Sequence, residues 1–164
     1  MYKWFLGLIF LTVSGSSIAQ KLTVPQLIDM LDWTGKRIDT TLKKKDYILM
    51  HKDIDTTNAL YQYSMVDHEK EKETTVIRSF TYMDVSVQKT RSRLITYRTY
   101  DKEEFQEIAS WLLTNSYQST NQFDFGDEKH TLFSNGKQSI RLKVINKKSN
   151  RGRVFTAYEL EIGR

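Results

Sequence analysis

Strict two-residue alternation towards the C-terminal end constrains this chain most. From Gln138 to Asn146, Ile140, Leu142 and Val144 share one parity, and Arg141, Lys143 and Ile145 take the other. From Arg153 to Ile162, Val154, Thr156, Tyr158, Leu160 and Ile162 stand against Phe155, Ala157, Glu159 and Glu161. Successive side chains of a strand point to opposite faces, so each run reads as a half-buried strand. Asn135-Gly136 just before them is a strong hairpin signal.

Further segments rich in Thr, Val, Ile and aromatics read as strands: Tyr47–Lys52, Ala59–Val66, Thr74–Val87, Arg93–Tyr100, Gln118–Phe125 and Glu128–Ser134. The charged tip Asp67–Glu73 reads as a hairpin loop, with a helical extension as the alternative. Two segments carry helix signals instead. Thr23-Val24-Pro25-Gln26 fits a capping box, followed by Leu27, Ile28, Met30 and Leu31. Thr34-Gly35 interrupts, and Ile38 and Leu42 mark a second turn ending in Lys43-Lys44-Lys45, where cations suit the helix dipole. Asp101-Lys102-Glu103-Glu104 caps a second segment in which Phe105, Ile108, Ala109, Leu112 and Leu113 recur at helical spacing.

The expected fold is therefore α+β: helical segments packed on one face of an antiparallel sheet of about seven or eight strands. The expected order is helix then strands, twice, with repeats at 23–100 and 101–164. Thr75–Tyr82 can be laid beside Gln138–Ile145, and Lys45-Asp46-Tyr47 beside Asn115-Ser116-Tyr117. Chance similarity among β-rich segments is the competing explanation. Helices covering one face place Ile140, Leu142, Val144, Tyr158 and Leu160 in the core, opposite Leu27, Ile28, Leu31, Phe105, Ile108 and Leu112. The other face stays open. Parity carried through the repeat puts Arg78, Phe80, Tyr82, Leu94 and Arg98 on it, with Arg141, Lys143 and Phe155.

The chain has 164 residues, no Cys and one Pro. Residues 1–19 read as a signal peptide. Lys3 precedes an apolar run from Trp4 to Val13, and Ser17-Ile18-Ala19 offers a cleavage site before Gln20. A spanning helix needs about 20 apolar residues, and this run has half that. Residues 20–164 then form one exported domain, periplasmic or secreted, with no membrane span after cleavage. Without cysteines its stability must come from the core alone. The formal net charge of +5 is mild, and nucleic acid is not an expected partner of an exported protein.

An exported chain with helical segments at Pro25–Lys44 and Lys102–Thr114, each followed by strands, resembles the beta-lactamase-inhibitor-protein type at the level of architecture. The resemblance implies an inhibitor-like role, in which the sheet occludes a protein partner. Proteins of that type usually carry a disulfide in each repeat, and this sequence has none.

Catalytic chemistry finds little support in the residues. Thiolate nucleophiles, CxxC pairs and zinc-thiolate sites need Cys. His51, His68 and His130 lie far apart, with no i, i+4 pair and no HExxH. No GxSxG occurs. Glu103, Glu104 and Glu107 suit a helix N-terminus without catalysis. Asp124–Glu128 lacks the oxygen spacing of a calcium loop. No cofactor or metal is expected.

The sequence thus points to a non-catalytic binding module that holds a protein or peptide partner in the cell envelope. Arg78, Phe80, Tyr82, Arg98, Arg141, Lys143 and Phe155 are the expected contact residues, because Phe, Tyr and Arg are enriched in recognition surfaces. Cross-strand packing, with Lys143 or Arg141 against Glu159 or Glu161, would explain the same face without a partner. Two other classes stay open: an envelope enzyme using paired carboxylates, and a structural component binding an acidic polymer through Lys and Arg.

Overall fold

Eight strands run side by side in the order β1-β2-β3-β4-β8-β7-β6-β5, every neighbouring pair antiparallel. The computed structural model describes residues 21–67, 75–87, 90–148, 152 and 154–164. The expected signal peptide and most of the charged tip lie outside these. In chain order the elements are α1 (Val24–Met30), α2 (Gly35–Lys43), β1 (Ile48–Ile54), β2 (Asn58–Asp67), β3 (Thr75–Val87), β4 (Thr90–Thr99), α3 (Lys102–Thr114), β5 (Gln118–Phe125), β6 (Glu128–Ser134), β7 (Ser139–Lys148) and β8 (Val154–Gly163).

This corrects the expected fold class. Strands take 57% of the described residues and helices 22%. The described residues form one open antiparallel sheet with three short helices, not an α+β assembly of two tandem helix-plus-strands repeats. The strand-forming segments are long, 13 residues in β3 and 10 each in β2, β4, β7 and β8. β4 and β8 pair directly, which fuses everything into a single ladder.

Local chemistry accounts for the helix ends. The Thr23 hydroxyl accepts from the Gln26 amide while the Gln26 side chain accepts from the Thr23 amide, a complete capping box. Thr34 caps α2 and Asp101 caps α3 in the same manner, each accepting from the amide three residues on. Past α2 the Tyr47 amide donates to the Leu42 carbonyl with Asp46 at φ 62°. Past α3 the Tyr117 amide donates to the Leu112 carbonyl with Ser116 at φ 66°. Both exits use a left-handed residue to satisfy a terminal carbonyl. At Gly35 an added Cβ would lie 2.9 Å from the Tyr61 hydroxyl, so any larger residue would make that ring shift for α2 to start this close to β2.

Register fixes the two faces, because directly opposed residues share one. Phe80 opposes Tyr97, which opposes Leu160, which opposes Leu142. Tyr82, Ile95, Ile162 and Ile140 form the next row. Both rows are buried, together with Leu27, Met30, Leu31, Ile38, Leu42, Ile108 and Leu112 from the helices. Phe105 stacks on Tyr158 with ring centroids 4.7 Å apart.

The same register overturns the parity expected for β3. Residues of β3 and β4 pair even with odd, so Arg78, Phe80 and Tyr82 share a face with Thr99, Tyr97 and Ile95. That face is the core, and Phe80 is 0% exposed. Leu94 and Arg98 lie on the opposite face, as expected.

Candidate functional site

On the uncovered face one row of side chains crosses the whole sheet. Ile48, Ser64, Ser79, Arg98, Glu159, Lys143, His130 and Phe123 oppose one another in succession from β1 to β5. Towards β1 the row is uncharged, with the serines of β2 and β3 ending on the exposed Ile48. From β4 to β7 it is ionic.

Glu159 is its centre. Arg98 donates to Oε2 through Nε and Nη2 at 3.1 and 2.7 Å, and Lys143 donates to Oε1 at 2.8 Å. Lys143 also reaches Glu161 at 2.7 Å, and Arg141 lies 3.3 Å from Glu161. Three cations and two carboxylates thus alternate across β4, β8 and β7. Glu159 is only 4% exposed. Burial pushes its carboxyl upward, but the hydrogen bonds from Lys143 and Arg98 outweigh this and hold it below the usual carboxylate range. Burial pulls the Lys143 ammonium down, and its bonds to Glu159 and Glu161 carry it above the usual lysine range.

The ladder is flanked by rings. Tyr100 and Phe155 lie 6.1 Å apart, each 38% exposed. On the far side His130 stacks on Phe123, with centroids 4.8 Å apart and planes 6° from parallel. His130 is buried, and its Nε2 lies 3.3 Å from a Glu128 carboxylate oxygen.

The seven residues expected to form a surface are therefore divided. Arg98, Arg141, Lys143 and Phe155 share the open face. Arg78, Phe80 and Tyr82 do not belong to it. Arg78 donates through Nε to Glu104 at 2.8 Å, beneath α3. The other hydrogen bonds to Glu104 come from the hydroxyls of Tyr97 at 2.6 Å and Thr99 at 2.9 Å. Tyr82 donates to Asp84 at 3.0 Å, and its hydroxyl is raised to about 12 chiefly by burial. Tyr100, Phe123 and His130 belong to the open face and were not singled out from the sequence. The long-range pairing of β8 to β4 brings in Tyr100, and the local hairpins β5–β6 and β6–β7 bring in Phe123 and His130.

Two carboxylates line a cavity of about 170 Å³ between the segment before α1 and α3, with Leu22, Ile108 and Trp111 as its apolar wall. Both are engaged: Glu104 by the buried network, and Glu107 by Lys21 at 3.1 Å. Among the described residues no group of three or more His, Asp or Glu side chains is placed to hold a metal ion. No described helix is long and apolar enough to cross a membrane. The open face carries the partly exposed rings of Tyr100 and Phe155 and, at Arg98 and Arg141, guanidinium side chains that are over a third exposed.

In comparisons with protein families, curated proteins and solved structures, the chain matches none, so no relative bears on the beta-lactamase-inhibitor-type resemblance.

Proposed function

We propose that the protein is a non-catalytic exported binding module that holds a protein or peptide partner on its open sheet face. The observation that carries this reading is the juxtaposition of the exposed Tyr100–Phe155 ring pair with the Arg98–Glu159–Lys143 ladder. A rigid ionic row fixes the guanidinium orientation in advance, which reduces the entropy lost on binding. Aromatic rings and Arg are the residue types that dominate binding energy at protein interfaces. The N-terminal apolar run Trp4–Val13 supports export, and export makes an envelope or extracellular protein the natural partner.

The test is capture of partners from an envelope extract by the tagged protein, followed by affinity measurement on the purified pair. Phe155→Ala and Tyr100→Ala should each weaken binding by about thirtyfold, the scale of a hot-spot loss. Their melting points should stay close to the parent's, since both rings are partly exposed. Unchanged affinity in both variants would reduce the open face to ladder packing and overturn the reading.

A further inference from the structure

The two sheet edges differ. β1 is guarded by consecutive polar and charged residues, His51, Lys52 and Asp53. β5 reads Gln-Ser-Thr-Asn-Gln-Phe-Asp-Phe, with Asp124 its only charge, and all eight of its residues are exposed. Among the described residues it pairs with β6 on one side only. An edge strand presents a row of unpaired backbone N–H and C=O groups, which proteins usually blunt with Lys, Pro or a bulge. β5 has neither Lys nor Pro. Its bulge lies between Ser119 and Asn121, at one end, which leaves Asn121–Phe125 as a regular five-residue edge.

We propose that this edge pairs with the β5 edge of a second copy of the chain, antiparallel about a two-fold axis at Phe123. The bulge sets the register, because Phe123 is the centre of the regular stretch. Phe123 then opposes its own copy, Asn121 opposes Phe125, and Gln122 opposes Asp124. No like charges face each other. A two-fold axis perpendicular to the sheet keeps each face on its own side, so the ionic row continues through Phe123 into the second molecule. Two molecules that each carry a net charge of +5 meet where charge is nearly absent. The exposed side chains of Phe123 and Phe125 supply the apolar contact.

The register makes opposite predictions for two substitutions at one exposed position. Gln122→Lys places a cation against Asp124 of the other copy, twice per dimer, and should tighten the dimer. Gln122→Asp places like charges there and should loosen it. Cross-strand pairs of this kind shift the dimer constant by about 2- to 30-fold, read by sedimentation of the purified full chain at low salt. A second measurement is independent of charge. The chain has no cysteine, and directly opposed antiparallel residues lie within disulfide reach. Phe123→Cys should therefore form a covalent dimer on mild oxidation, whereas Ile54→Cys on the β1 edge should not. A parent protein that stays monomeric at high concentration would overturn the proposal. So would a dimer on which the two substitutions at position 122 act with the same sign or not at all, or one trapped through Ile54→Cys.

Discussion

Two ion networks sit on adjacent central strands of the same sheet and face opposite ways. Arg78 of β3 points into the core, where Glu104 of α3 receives it with Tyr97 and Thr99. Arg98 of β4 points to the open face, where Glu159 receives it with Lys143. Both carboxylates are almost fully buried, at 2% for Glu104 and 4% for Glu159. The guanidinium side chains differ: 8% exposed at Arg78 and 36% at Arg98. One network ties a helix to the sheet and is sealed. The other ties strand to strand and leaves its outer cation in water. The same pair of residue types therefore acts as a sealed bolt on one side and as a solvent-facing cross-strand tie on the other, the one on which the proposed recognition face is built.

The contrast breaks most visibly at Arg78. Arg78→Ala strands the Glu104 carboxylate in the core and should cost about 3–5 kcal/mol in urea unfolding. Arg78→Met combined with Glu104→Leu removes both charges and should recover most of that loss. A cost below about 1 kcal/mol for Arg78→Ala would show that the sealed network is not a bolt. The aromatic pairs sharpen the same comparison. Phe80→Ala should lower stability by about 3–5 kcal/mol, as should other large cavities in this core. Phe155→Ala should stay within about 0.5 kcal/mol of the parent.

Arg98→Ala leaves Glu159 with Lys143 and should cost about 1 kcal/mol at low salt, shrinking as salt is raised. Acid supplies the next test. The Glu159 pKa lies below its unfolded value, so its contribution is fully present above pH 4.5 and fades as pH falls through the depressed value. Asp84, held low chiefly by Arg91, acts in the same direction. Glu159→Gln should flatten stability against pH below 4.5, and an unaltered slope would contradict its role. The smallest effect belongs to the exposed helix pair Asp39–Lys43. Lys43→Ala should change the unfolding free energy by about 0.3–0.5 kcal/mol.

Local signals in the sequence were reliable wherever the chemistry is local. Thr23 and Gln26 announce their cap, Asp101 announces α3, and the alternation of β7 and β8 gives both faces correctly. Asn135-Gly136 does form a turn, with the Asn135 side chain accepting from the amides of Lys137 and Gln138. β3 defeated the same reasoning. Its even positions hold Val76, Phe80 and Tyr82, and its odd positions Ile77, Met83 and Val85, so both faces look apolar. Only pairing with β4 decides between them, and an inferred repeat carried the wrong parity across. The assembly failed for a related reason. The strand segments are marked locally, but their joining in one ladder rather than two repeats rests on β4 pairing with β8, which is distant in the sequence. The site was half legible: Arg141, Lys143 and Phe155 follow from alternation and Arg98 from the carried parity, but Phe123 and His130 need the hairpin registers and Tyr100 needs the β4–β8 pairing.

That order also dictates when the molecule can be finished. β1 to β4 zip as successive hairpins, and so do β5 to β7, each from neighbours in sequence. β8 follows the seven other strands in the chain, yet it inserts between β4 and β7, pairing Tyr97 with Leu160 across 63 positions. Without β8 the two sets of strands share no ladder, and the inner edges of β4 and β7 stay unpaired. The pairing that joins them has high sequence separation, the kind that slows folding. A chain stopped before Val154 would lack the keystone of the ladder and present four edges instead of two.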